Sequence, residues 1–393
     1  MKTTIPSARC LAGLTTVALL FGCSIPAAGQ SGNAVKACQD KRPALSAALK
    51  DIQRRQRNIG LSGLVVLKGQ TILAEHLGYA DLEHRVPVTR DTKFGVASIT
   101  KAFTGLALLK LAETGKVDLD APIQRYVPSF PLKPGKPITL RLLAAHLAGI
   151  RHWRSERTPE LYARHFDDVM EILPLFKDDT LVAPPGTRES YSSYGYNLIG
   201  AAIQSASGVK YQDYVRREII APLGLANIGF DDVRRVQLNR ARRYSYFHPW
   251  TFVVDSNEVY RVPDWDYSHN MAGGNMYATA EDLAKFGRAV ERPGFLSQKS
   301  LDLLYKRPRV GAVESDMSFG FFVNDSTGRR QLAIGGSNAG LQSGLFVYPD
   351  EDLVIVVLAN TWGIGARSGE MNQTLLERLA AICMGWPEPP PVR

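Results

Sequence analysis

Residues Gly95-Val-Ala-Ser98-Ile-Thr-Lys101-Ala-Phe-Thr-Gly105 decide how this chain is read. Downstream, Phe103, Leu106 and Leu109, with Leu108 and Leu111 on a neighbouring strip, recur at helical spacing, and Gly115 offers a stop. The spacing predicts a buried helix that Ser98 opens. Positions 98 and 101 are close to one turn apart, so the Lys101 amine and the Ser98 hydroxyl share a face. A serine hydroxyl is a poor nucleophile at neutral pH and needs a base. A lysine serves only where burial or a nearby positive group lowers its pKa. A helix start adds free N–H groups and a positive dipole end, which stabilise charge on an attacked carbonyl.

Ser-x-x-Lys alone is a weak signal, because at about 6% usage of each residue chance supplies roughly one in a chain this long. A second does occur, Ser207-Gly-Val-Lys210, where the serine ends a helical pattern, Gly208 stops it, and the lysine reads as solvent-facing. The surroundings of Ser98 therefore carry the argument.

Pro185-Gly-Thr-Arg-Glu-Ser-Tyr191-Ser192-Ser193-Tyr194-Gly195-Tyr196 puts a tyrosine and two serines on a loop before a helical pattern. Tyr191 is suited to pass a proton between Ser98, Lys101 and a leaving group. Because tyrosine titrates near 10, a basic role requires a neighbouring ammonium such as Lys101. The alternative is a tyrosine packed on Pro184 and Pro185. The third stretch is Gly335-Gly336-Ser337-Asn-Ala-Gly340, breaking two strand-like runs. Its glycines allow a strand edge to approach a substrate, and the Ser337 N–H is a candidate to pair with that of Ser98 as an oxyanion hole.

Ser98-x-x-Lys101, Tyr191-Ser192-Ser193 and the Gly336-centred motif, in that order, resemble the serine β-lactamase and penicillin-binding protein superfamily. The tyrosine is similar to that of the class C β-lactamase and esterase branch. His146-Leu-Ala-Gly-Ile-Arg-His152, Leu175-Phe-Lys-Asp-Asp179 and the run from Pro185 to Gly200 resemble the mitochondrial serine β-lactamase-like proteins and their bacterial relatives. The resemblance implies an acylated Ser98, Lys101 as general base, Tyr191 as proton relay, and substrate contacts from Ser193, Gly336 and Ser337. It also implies an antiparallel sheet flanked by helices, with a helical domain. Two positions depart from the pattern. Ser193 stands where Asn is usual, and Ile334 stands where a Lys or His begins the third motif. The loss of that cation, which helps hold a substrate carboxylate, costs about a hundredfold in rate. Peptide, ester or amide cleavage is then favoured over β-lactamase or D,D-peptidase activity. A non-catalytic or polymer-forming scaffold of the same fold is the third reading.

The rest of the chain organises around these motifs. Ala44 to Gln56 reads as a helix, Gly63–Leu67 and Thr71–Gly78 as a hairpin turning at Lys68-Gly69-Gln70, and Leu341–Val347 and Leu353–Ala359 as further strands. Leu140–Leu147, Asp167–Phe176, Gly195–Ala206 and Tyr211–Ile220 are helical in pattern, and Thr279 caps another helix. A last helix spans 369–384. The expected fold is α+β, with a discontinuous sheet domain from 40–115 and 280–385, a mainly helical insertion at 116–279, and a disordered Pro-rich tail at 386–393. The aromatic stretch 230–270, with Tyr244, Trp250 and Trp265, reads as a surface excursion packed by its own rings, or as a cleft wall.

Lys2, Arg9 and the apolar run Leu11–Phe21 form a secretory signal, too short to span a bilayer. Leu20-Phe-Gly-Cys23 resembles a lipoprotein box, giving a segment of 1–22 and a lipidated Cys23 that attaches the chain to a membrane; cleavage after Gly29 (1–29) is the alternative. Either implies export, to the periplasm or as an outer-membrane-anchored lipoprotein. Cys38 and Cys383 then remain, as a disulfide or as two buried thiols. The formal charge of +9 falls to 9 − 2 = +7 without Lys2 and Arg9. With no basic run interleaved with aromatics, nucleic acid is not an expected partner. His146 reads as a loop-ordering or core residue, and neither it nor His152 has metal-ligand spacing. No cofactor is expected, and an oligomer is compatible with all of this.

Overall fold

The computed structural model describes residues 28–153, 159–248, 257–291, 294–325, 328–362 and 374–389, with the single positions 251 and 253. Residues 1–27, with Cys23 and most or all of the expected signal, Trp250, positions 369–373 of the expected last helix and tail positions 390–393 lie outside these.

Apolar β-branched runs at both ends of the chain pair into one sheet. β1 (Gly60–Leu67), β2 (Gln70–Asp81) and β3 (Val86–Pro87) come from the first part of the chain. β4 (Met317–Ser318), β5 (Phe321–Asn324), β6 (Gln331–Asn338), β7 (Leu341–Tyr348) and β8 (Leu353–Ala359) come from the last. The eight strands run in the order β4-β5-β6-β7-β8-β1-β2-β3, and their pairings are antiparallel. The β1–β2 hairpin closes through Lys68 and Gly69, both at positive φ (49° and 78°), the geometry that matches a two-residue turn to strand twist.

β1, β7 and β8 are buried at every position because helices cover both faces of the sheet. On the outer face lie α1 (Ala28–Asp40), α2 (Arg42–Gln56) and a C-terminal helix, Leu375–Met384. The helix at Ala28–Asp40 was not expected, since its polar residues give it little apolar periodicity. A disulfide joins its Cys38 to Cys383, with Cα atoms 4.6 Å apart. Trp386, expected in a disordered tail, instead sits 5.3 Å from the Tyr348 ring and under the Arg329 guanidinium. Its indole extends the outer apolar layer.

The inner face is covered by α3 (Thr100–Glu113), which is apolar almost all round and therefore buried on nearly every side. Ser98 lies one short step before it, in a 3-10 turn, Ala97–Ile99, rather than in the α-helix itself. Phe103 stacks at 3.8 Å on Phe286 of the helix Ala280–Glu291, which Thr279 caps through the Asp282 N–H. The middle of the chain adds shorter elements than its pattern suggests. Helix Leu140–Ala144 stops early, and Val169–Leu175 is a 3-10 segment containing Pro174, which cannot donate to an α-helical ladder. α4 (Ser193–Ser207) is its longest helix, and its buried residues join the same continuous core as the inner sheet face.

One sequence expectation at the site fails. Gly335-Gly336 does not interrupt a strand: β6 runs through both to Asn338, with Gly336 paired opposite Ser343. Small side chains there serve close approach, not a break.

Candidate active site

The Ser98 turn, the Tyr191 loop and β6 converge on one cavity of about 690 Å³, lined among others by Ser98, Tyr191, Ser193, Asn270, Ile334 and Ser337. Ser98, Lys101 and Ser337 come from the two ends of the chain, and Tyr191 and Ser193 from its middle.

Lys101 is wholly buried. Its Nζ lies 2.6 Å from the Gly273 carbonyl oxygen, 2.9 Å from Ser193 Oγ and 3.2 Å from Ser98 Oγ. Burial pushes its pKa well below the ordinary 10.5, and no carboxylate is among the causes that would restore the charge. A neutral amine has two protons to donate and one lone pair. Gly273 O can only accept, Ser193 Oγ accepts the second proton, and the lone pair is left for the Ser98 hydroxyl proton. The three distances fit either protonation state, and it is desolvation that favours the free base facing Ser98.

Tyr191 Oη donates to Ser98 Oγ at 2.8 Å. Burial pushes the phenol up to about 12, against the lowering effect of that hydrogen bond. The sequence reading required a nearby ammonium if Tyr191 were to act as a base. Lys101 Nζ does sit 4.8 Å from the Tyr191 ring centre, but desolvation favours the neutral form of both groups. Tyr191 thus donates its O–H to Ser98, and desolvation favours the form of Lys101 that can accept a proton.

Two histidines hold the tyrosine loop. His146 Nδ1 accepts the Ser192 N–H at 3.0 Å and its carbonyl accepts the Ser190 N–H at 2.8 Å. His152 Nδ1 accepts the Ser193 N–H at 3.2 Å. Both rings flank Tyr191, at 4.5 and 5.4 Å between centroids. Burial, the largest cause, holds the His146 pKa far below its usual value, so its Nδ1 stays an acceptor. Ser192 closes the arrangement as the α4 cap: its Oγ accepts from Gly195 N and donates to the Arg151 carbonyl. His146 thus has the loop-ordering place read from sequence, while the part played by His152 was missed.

The Gly273 carbonyl was missed as well, since a backbone acceptor leaves no side-chain signature. It belongs to the short helix Met271–Gly274, fixed by Asn197 Oδ1 accepting the Ala272 N–H and by Thr104 Oγ1 donating to the Ala272 carbonyl. On the opposite wall a Cβ at Gly336 would lie 2.2 Å from Val96 O and 2.9 Å from Ser98 N. Only glycine lets β6 come this close to the Ser98 backbone. Ile334 is buried against the core, leaving no charge where the third motif begins. The aromatic stretch forms its own small cluster of Trp265, Tyr267 and Val262 with Tyr162 and Ala339, and among its described residues Asn270 alone lines the cavity.

The sequence profile of the Beta-lactamase family matches residues 45–380. The chain belongs to the Beta-lactamase family. Within it, the chain is 32% identical over 308 residues to the mitochondrial serine beta-lactamase-like protein of Homo sapiens, covering 61% of this chain and 55% of that protein. It therefore spans about half the length of this relative. An octameric penicillin-binding protein homologue from Pyrococcus abyssi superposes with a TM-score of 0.73 at 23% identity, over 88% of this chain and 77% of the other. The D-amino acid amidase of Ochrobactrum anthropi superposes with a TM-score of 0.74 at 24% identity, over 88% and 98%. At those identities the likeness is one of fold. Among the described residues no helix is long and apolar enough to cross a membrane.

Proposed function

We propose that the chain is a serine hydrolase that forms an acyl-enzyme on Ser98 and cleaves ester, amide or peptide bonds of a small substrate. The observation that carries this reading is the buried Lys101 amine 3.2 Å from Ser98 Oγ, its pKa pushed well down by desolvation. Ser98 Oγ attacks the substrate carbonyl carbon while its proton passes to Lys101 Nζ. The carbonyl oxygen takes up the negative charge against the backbone N–H groups of Ser98 and Ser337. The Tyr191 hydroxyl then gives its proton to the departing oxygen or nitrogen and is reprotonated from Lys101. Water then attacks the acyl carbon as Lys101 takes its proton, and Lys101 returns that proton to Ser98 Oγ as the acyl carbon–Oγ bond breaks, which releases the acid and frees Ser98.

A peptide fits as well as an ester. β5 pairs with β6 only at Gln331–Ala333, so among the described residues the β6 edge from Gly335 to Ser337 has no strand beside it on that side. An extended substrate backbone can align there. Ile334 argues against a substrate that depends on a carboxylate contact. The expected result is that p-nitrophenyl acetate and small peptide anilides are turned over, with a chromogenic cephalosporin slower by about a hundredfold or more. Fast cephalosporin hydrolysis with inert esters would reverse the assignment.

A further inference from the structure

The Ser98 cavity does not end at the catalytic groups. It continues over the edge of β6 to Phe322, Ala333 and Phe346. Phe322 of β5 stands directly opposite Ala333 of β6, and Ala333 directly opposite Phe346 of β7, so the three side chains lie side by side on the outer face. A methyl group between two phenyl rings leaves a narrow slot. Phe322 is 41% exposed, unusual for a phenylalanine within a sheet, and so contributes one open wall.

Along the same face of β6 the next position toward Ser337 is Gly335, which pairs opposite Gly344 on β7. Neither of these facing glycines adds a side chain of its own to that face. At about 3.3 Å per residue, Ala333 is about 13 Å from Ser337, the reach of a medium-length alkyl chain. Beyond the slot the row ends in a polar stop: Asn324 Nδ2 donates to Gln331 Oε1, and Gln331 Nε2 donates to the Tyr348 hydroxyl.

We propose that this slot receives an extended alkyl arm of the substrate, which makes the site selective for esters or amides bearing a medium-length apolar chain. The inference rests on the serine hydrolase reading above. Ile334 fits it, because an apolar residue stands where a carboxylate would otherwise be drawn in. The polar stop sets an upper length, so selectivity passes through a maximum.

Two series test it with the full chain: p-nitrophenyl esters from acetate to palmitate, which lengthen the acyl side, and phenyl-chromophore acetates of lengthening alkyl alcohols. In one series kcat/KM should rise up to about threefold to fourfold for each CH₂ that enters the slot. It should peak at medium length, then fall. In Ala333→Leu, which fills the slot, and in Phe322→Ser, which removes a wall at an exposed position, the ratio of the best chain to acetate should collapse toward one. The ratio is taken within each variant, so a general loss of folded protein cancels. Acetate turnover with no length preference in either series, or a preference that survives both substitutions, overturns the slot and leaves the hydrolase standing. No turnover of any ester, with no label on Ser98, removes both.

Discussion

Lys101→Met lowers kcat/KM for an activated ester by between about 10² and 10⁴, the range that a positioned acid–base group supplies. The substitution keeps the length and apolar stem of the side chain but removes the lone pair 3.2 Å from Ser98 Oγ. It also has a signature in stability that a merely structural lysine lacks. Burial holds Lys101 below its ordinary 10.5 in the fold, whereas in the unfolded chain it takes up a proton at neutral pH. The unfolded state therefore binds more protons between the depressed folded value and 10.5, and stability rises with pH across that window. One proton corresponds to a slope of about 1.4 kcal/mol per pH unit. Denaturant titrations of wild type and Lys101→Met across this range should differ in slope by up to that amount, with wild type the steeper. Equal slopes would mean that Lys101 is charged in the fold. The activity of wild type should fall on acidification as the amine takes up a proton, and it should need no pH near 10.5 to be switched on.

Gly336→Val slows acylation by about 10² to 10³ although the residue carries no chemistry. Even the first carbon of the new side chain would lie 2.2 Å from Val96 O, 2.6 Å from Ser343 Oγ and 2.9 Å from Ser98 N. Two of these are backbone atoms of the turn that presents Ser98, so strand and turn must separate. The separation withdraws the Ser337 N–H from any oxyanion shared with Ser98, and one lost donor of that kind costs about 10² to 10³ in kcat. Overpacking at the same place costs about 1–3 kcal/mol of stability. A fall in rate far larger than the change in folded fraction, read by circular dichroism on the assayed sample, is the expected outcome. A valine variant with wild-type turnover would remove β6 from the site.

What could be read ahead of the structure was the chemistry carried by side chains at short spacing. Ser98 and Lys101 lie one turn apart, and the run from Phe103 to Leu111 could only be a buried helix. Tyr191 and Ser193 needed the order of motifs, since nothing local ties residue 191 to residue 98. Gly335-Gly336 was misread as a break because glycine usually weakens a strand; the pressure here comes from Val96 and Ser98, distant in sequence. The Gly273 carbonyl and the paired Nδ1 acceptors of His146 and His152 stayed hidden for a related reason. Backbone groups have no letter in a sequence, and a histidine's partner is set by how the loops close over it. The packing of Trp386 was lost to the prolines that follow it, which signal disorder by composition while a single indole finds the outer core.

The measurement that bears most directly on the central claim is intact mass. Wild type and Ser98→Ala are exposed in parallel to a fluorophosphonate, a simple acyl ester and benzylpenicillin. A single adduct on wild type with the fluorophosphonate and the ester, absent from Ser98→Ala, is the predicted result, with little or none from benzylpenicillin. The same adduct on both proteins would place the reactive group elsewhere, and no adduct on either would contradict an activated Ser98 altogether.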